Sequence, residues 1–186
     1  GGCVSGVEFT SDPKVLYSYV DVGGPYRSDD GGLSWRPLHG NMDLGLRNHQ
    51  MDQLKCLSVD PRDPNSFVAV GGSDYAVGGA LVSHDGGRSF RKTLKSHFYG
   101  NGPRREGRVL ARDPFAPDRL VAGGDGDGLM LSEDNGETWS RVSQTNCWFN
   151  DIRFDTAVRG VAYACCQADA KRGFIEGLFE SENGGR

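Results

Sequence analysis

The pattern Ser-x-Asp-x-Gly-x-x-aromatic occurs three times, and it restricts the chain to a repeated β architecture before any other property is considered. Ser28, Asp30, Gly32 and Trp35 form the first copy, Ser83, Asp85, Gly87 and Phe90 the second, and Ser132, Asp134, Gly136 and Trp139 the third. A fourth begins at Ser181 with Asn183 and Gly185. Successive serines are 55, 49 and 49 residues apart, and a period of that size marks a solenoid, a propeller or an array. The motif itself makes a tight hairpin: Ser and Asp side chains bond the turn backbone, Gly takes a conformation closed to other residues, and the aromatic packs on the hairpin. Trp35, Phe90 and Trp139 are therefore expected to be equivalent and largely buried. These aspartates read as structural rather than as calcium ligands or catalysts, and 125–134 lacks the ligand spacing of a calcium loop.

Upstream of each copy stands the same grammar of strand, turn, strand and Gly-rich link: VEFTSDPKVLYSYVDVGG, CLSVDPRDPNSFVAVGG, VLARDPFAPDRLVAGG and IRFDTAVRGVAYACC. Alternating apolar residues, β-branched and aromatic content and Asp-Pro turns predict antiparallel strands at hairpin spacing. No window has helical periodicity. Four strands per repeat make a propeller blade. The fold class is thus all-β, about three and a half blades of a propeller that typically closes with 4–8 blades. The blades are expected at roughly 1–38, 51–93, 104–143 and 150–186, the last incomplete. An open wedge of blades exposes strand edges, so the expectation is a piece of a longer polypeptide.

Composition narrows the partners. A net charge of −4 is contrary to what a nucleic-acid surface needs. The basic residues Arg88, Arg91, Lys92, Lys95, Arg104, Arg105 and Arg108 read as the solvated rim of neighbouring loops. The longest apolar stretches, such as VAYACC, fall far short of the roughly 20 residues a membrane helix needs. Five cysteines without CxxC spacing predict neither a zinc site nor a closed disulfide framework. No metal and no cofactor are expected.

If strands a to d run outward from the axis, the a–b and c–d turns share one face, while the b–c and d–a links share the other. The b–c links are read at 20–25, 73–79 and 124–128, and the d–a links at 39–53, 93–107 and 143–150. These links carry carboxylates at Asp21, Asp74, Asp125 and Asp127, and flat rings suited to sugars at Tyr75, Phe98, Tyr99, Trp148 and Phe149. Asp21 and Asp125 both stand seven residues before a motif serine.

The segment GGCVSGVEFTSDPKVLYSYVDVGGPYRSDDGGLSWRPL, with Asp21-Val22-Gly23-Gly24-Pro25-Tyr26-Arg27 at its centre, resembles the opening of the family-74 glycoside hydrolases, the xyloglucan-cleaving endoglucanases. GNGPRREGRVLARDP at 100–114 and GDGLMLSEDNGETWSRVS at 126–143 are similar to later parts of that family, and the repeated motif to its Asp-boxes, or BNR repeats. The resemblance implies two seven-bladed propellers around a polysaccharide cleft, each giving one catalytic Asp. Asp21 matches the base of an inverting hydrolysis of a β-1,4-glucan such as xyloglucan. The second carboxylate would lie outside this chain, which alone would be inactive. Gly23, Gly24, Tyr26, Asn101 and Arg108 match substrate-binding positions, and an extracellular or periplasmic location follows from the same likeness. Val20, Pro25 and Ser28 depart from the family's usual residues. The alternative is a non-catalytic Asp-box propeller that binds protein or glycan, sortilin-like or assembly-factor-like.

Overall fold

The computed structural model describes residues 3–21, 23–41, 53–73, 76–98 and 107–186. It falls into two units, Gly1–Arg104 and Arg105–Arg186. The first holds two four-stranded antiparallel sheets. One is β1 (Val4–Phe9), β2 (Leu16–Val20), β3 (Gly24–Ser28) and β4 (Arg36–Pro37); the other is β5 (Leu54–Asp60), β6 (Asp63–Ser73), β7 (Ala76–Ser83) and β8 (Arg91–Lys95). The second unit holds β9 (Leu110–Asp113), β10 (Ala116–Gly124), β11 (Gly128–Ser132) and β12 (Ser140–Arg141) in one sheet. A three-stranded sheet of β13 (Trp148–Phe154), β14 (Ala162–Gln167) and β15 (Gly177–Ser181) completes it. Every pairing joins strands adjacent in sequence, as expected of propeller blades. The one helical element among the described residues is a 3-10 turn at His39–Asn41, so no helix there could cross a membrane.

Each unit has its own core. In the first, β1 and β2 pack on β5, burying Tyr17, Leu54, Leu57, Phe67 and Leu81, with the Tyr17 and Phe67 rings 4.7 Å apart. In the second, β9 and β10 pack on β13 around Val109, Leu120, Phe149 and Ile152. Burial of such side chains is worth roughly 1.5–3 kcal/mol each, so the inter-sheet faces hold each unit together.

The c–d hairpins share one geometry. Ser28 Oγ donates to Asp30 Oδ1 (2.8 Å) and accepts from Gly32 N (2.8 Å). The same pair of bonds recurs at Ser83 and at Ser132. A second hydroxyl completes each cluster: Ser34, Ser89 and Thr138 donate through backbone N and side chain to the carboxylate of Asp30, Asp85 and Asp134, respectively. In the fourth hairpin Asn183 takes the aspartate's place beside Ser181.

The aromatic residues of these hairpins are less buried than expected. Trp35 is 39 % exposed, and Phe90 and Trp139 are half-buried. Each indole is tied to its own turn, its N–H donating to the carbonyl of Gly32 or Gly136 at 3.0 Å.

The links are shorter than the sequence implied. Pairing of Val20 with Gly24, Ser73 with Ala76 and Gly124 with Gly128 leaves 21–23, 74–75 and 125–127 as b–c connections. β8 continues to Lys95 opposite Gly79, and β13 begins at Trp148 opposite Gln167. The innermost strands carry a recurring irregularity: the register slips between Val4 and Gly6, Leu54 and Cys56, and Phe149 and Asp151, leaving Ser5, Lys55 and Asn150 as the extra residues.

Candidate functional site

Asp21 sits one residue beyond the last pairing of β2. Its backbone N donates to the Cys3 carbonyl (3.1 Å), and the Cys3 amide donates to Asp21 Oδ1 (2.7 Å). This reciprocal pair fixes the carboxylate on a half-exposed link and leaves Oδ2 unengaged by hydrogen bonds among the described residues. Gly23 (φ 130°) and Gly24 (φ 72°) follow, conformations that L side chains rarely adopt. A Cβ added at Gly23 would meet the Tyr26 hydroxyl at 3.6 Å. The half-buried Tyr26 ring meets His39 edge-on at 6.4 Å. Asp21, Gly23, Gly24 and Tyr26 thus gather at one end of the first blade.

Arg27 is the last residue of that motif. It points into the first unit's core, where Nη1 donates to Tyr17 Oη (2.6 Å) and to Asn65 Oδ1 (2.8 Å), while Nε donates to Asp29 Oδ1 (2.7 Å). Burial raises the Tyr17 pKa despite the neighbouring Arg27 guanidinium, and the Tyr17 hydroxyl in turn donates to the Pro64 carbonyl (2.9 Å). Arg27 therefore ties the first blade to the second.

Arg108 belongs to the second unit. Its backbone N donates to Asp151 Oδ1 (3.3 Å), and its carbonyl accepts from Ile152 N (2.7 Å). Burial, then the nearby Arg153, lowers its pKa, with Asp151 acting in the opposite sense. Asn101 lies outside the described residues, as do Asp74, Tyr75, Tyr99, Arg104 and Arg105.

Several link residues do not form a sugar platform. Phe98, Trp148 and Phe149 are almost wholly buried, because strand pairing starts earlier than the sequence implied and turns the last two into the sheet. Asp125 is also shut in, at 5 % exposure. Its link is pinned by Gly126 N donating to the Cys147 carbonyl (3.1 Å), and Phe174 covers Gly126 so closely that a Cβ there would lie 2.8 Å from the ring. Burial pushes the Cys147 and Cys166 thiols up. All five cysteines are free, and no group of three or more His, Cys, Asp or Glu among the described residues is placed to hold a metal ion. A pocket of about 190 Å³ in the second unit is lined largely by apolar residues, including Val121, Ile152 and Phe179.

No family model matches the chain. It is 36 % identical over 156 residues to the xyloglucanase Xgh74A of Acetivibrio thermocellus, an alignment covering 76 % of this chain and 18 % of the relative. It is 31 % identical over 148 residues to the oligoxyloglucan-reducing end-specific xyloglucanase of Emericella nidulans, covering 77 % of this chain and 18 % of that protein. This chain thus spans about a fifth of the length of these curated relatives. Among solved structures, the GH74 xyloglucanase of Xanthomonas campestris superposes with a TM-score of 0.81 at 24 % identity, over 100 % of this chain and 30 % of the other. At that identity the superposition speaks for the fold.

Proposed function

Because this chain resembles the family-74 glycoside hydrolases, we propose that it is part of a secreted enzyme that cleaves a β-1,4-glucan such as xyloglucan with inversion. The reading rests on one observation: Asp21 is fixed by the Cys3 amide through Oδ1 on a half-exposed link beside Gly23 and Gly24. In the proposed reaction, Oδ2 takes a proton from water as that water attacks the anomeric carbon. An acid from outside this chain protonates the leaving oxygen. Inversion needs the two carboxyl groups about 6.5–9.5 Å apart so that water fits between them. Gly23 and Gly24 let a pyranose ring approach the backbone, Tyr26 flanks it, and Asn101 and Arg108 contribute to binding rather than to turnover. The four-residue Ser/Asp/Gly/aromatic clusters, read as Asp-boxes, serve the scaffold.

The test is Asp21→Asn in the complete polypeptide. Loss of one general base commonly costs ~10²–10⁴-fold in rate, and that loss on xyloglucan or plain β-glucan, with oligosaccharide binding retained, is expected. A loss below about tenfold, far under the general-base range, would move Asp21 to a structural role. Full activity would place the base on another residue, and no hydrolysis by the unmutated polypeptide would favour the non-catalytic binding propeller.

A further inference from the structure

Spacing along the chain pairs none of the five cysteines, but the strand register of the second unit brings two of them together. Phe149 pairs with Cys166 and Trp148 with Gln167 across β13 and β14. Cys147, two residues before Phe149, therefore lies diagonally across from Cys166 on the same face of the sheet. Both side chains are almost wholly buried. The Cys147 thiol hydrogen-bonds that of Cys166, which itself donates to the Ile175 carbonyl (3.6 Å). Cys165 is only half-buried and stands opposite Asp151 and Leu178, on the other face of the strand.

The pair sits where two links meet. The Cys147 carbonyl accepts from Gly126 N in the third blade's b–c link (3.1 Å), and the adjacent Asn146 carbonyl accepts from Ile175 N (2.9 Å). Ile175 belongs to the link 168–176 between β14 and β15, the same link that lays Phe174 over Gly126. A bond between the two sulfurs would therefore brace β13, β14 and both links from one point.

We propose that Cys147 and Cys166 form a disulfide as the fourth blade packs. The oxidant is a small disulfide such as oxidised glutathione. One protein thiolate attacks it and releases one reduced thiol, and the second protein thiolate then displaces the other. The two protein thiols lose two electrons and two protons, and the small disulfide becomes two thiols. Burial raises both thiols in the finished fold, where little of the reactive thiolate is present. The exchange therefore belongs to the time before β13 and β14 are covered. The inference rests on the proposed function only for the oxidising surroundings that a secreted chain meets, and it uses none of the residues of that site.

The test is peptide mapping of the full polypeptide, refolded from urea in mixed oxidised and reduced glutathione, then alkylated and cut with trypsin without reduction. Cleavage after Arg141, Arg153, Arg159 and Lys171 places Cys147 in 142–153, and Cys165 with Cys166 in 160–171. These peptides are expected as one cross-linked species, two hydrogens lighter than their sum, with a single alkyl group on Cys165. Cys165→Ser should keep the link, and Cys166→Ala should abolish it. If Cys166→Ala fails to fold, fragmentation of the wild-type species assigns the bond directly. The oxidised protein should melt about 4 °C or more above protein refolded in dithiothreitol. Alkylation of all three thiols in the refolded wild type, or a link that runs through Cys165, overturns the proposal. Equal melting of the two forms overturns the bracing role. Retained hydrolysis in Asp21→Asn would leave the cross-linked species in place, so this inference and the catalytic reading fail separately.

Discussion

Asp125 occupies in the third blade the place that Asp21 occupies in the first, one residue past the final pairing of the second strand, yet it is closed in where Asp21 is half-exposed. The difference lies in what covers each link. Gly126 is bonded to the Cys147 carbonyl and capped by Phe174, whereas Asp21 is held from one side by Cys3. Asp125→Asn should therefore lower the thermal midpoint while leaving the proposed turnover by the complete polypeptide within about threefold, well outside the ~10²–10⁴ range expected of a lost base. Parallel kcat and melting measurements on Asp21→Asn and Asp125→Asn check this.

The hairpin aspartates should make the blades sensitive to acid. Hydrogen bonds led by Ser34 hold Asp30 down to about 2. Asp85 also falls to about 2, its burial outweighed by bonds led by Ser89. Asp134 is lowered too, with bonds led by Thr138 overcoming its burial. Folded values below the unfolded ~3.9 mean stability that is complete above that value and lost as pH falls through the folded ones. Circular dichroism between pH 5 and 2 should show the loss falling between about 4 and 2. Asp30→Asn and Asp85→Asn should each flatten it, while the fourth hairpin, with Asn183, contributes nothing to it.

Arg27→Met removes the donors to Tyr17 and Asn65 and the ion pair with Asp29 (2.7 Å). It leaves polar groups without their partner between two blades, at a cost of about 2–4 kcal/mol. Arg27→Lys should recover less than half of that, because one ammonium cannot reproduce a planar fork bonding in three directions. Urea unfolding of the three proteins measures both. Recovery of full stability by lysine would show that charge alone matters.

Close backbone packing at the second blade's b–c hairpin gives a further expectation. A Cβ on Gly78 would lie 1.8 Å from the Gly71 carbonyl and 2.5 Å from the Gly72 Cα, and backbone cannot withdraw as a flexible side chain can. Gly78→Ala should cost about 4 kcal/mol or more, among the largest effects of a single substitution. Gly40→Ala, which meets nothing within 4 Å, should change stability by no more than about 0.5 kcal/mol. Denaturant midpoints of the two variants decide it.

The strand order and the hairpins were legible because their causes are local: period-two alternation and side chains that bond within seven residues of themselves. Ser34, Ser89 and Thr138 escaped notice because the position alternates between two hydroxyl residues, although their chemistry is the same. Trp148 and Phe149 were misplaced for a different reason, since where a strand begins depends on its partner, here Gln167 and Cys166. Arg27 looked like the tail of a loop motif; its bonds run to Tyr17 and Asn65, the latter 38 residues away, and no local pattern announces them. The bulge at Lys55 lay hidden in an apolar strand because one extra residue leaves no mark in periodicity over so short a run.

The shared hydroxyl–carboxylate cluster also bears on how the chain acquires its shape. Ser28, Asp30, Gly32 and Ser34 satisfy one another across a few residues, so closing the hairpin requires almost no search through chain conformations. Hairpins form in roughly 1–10 μs, far faster than a ribosome adds residues at about 5–20 per second. Each turn can therefore set its own register as it emerges, before the following blade has been synthesised, and the slow step left for the chain is the docking of one finished sheet on the next.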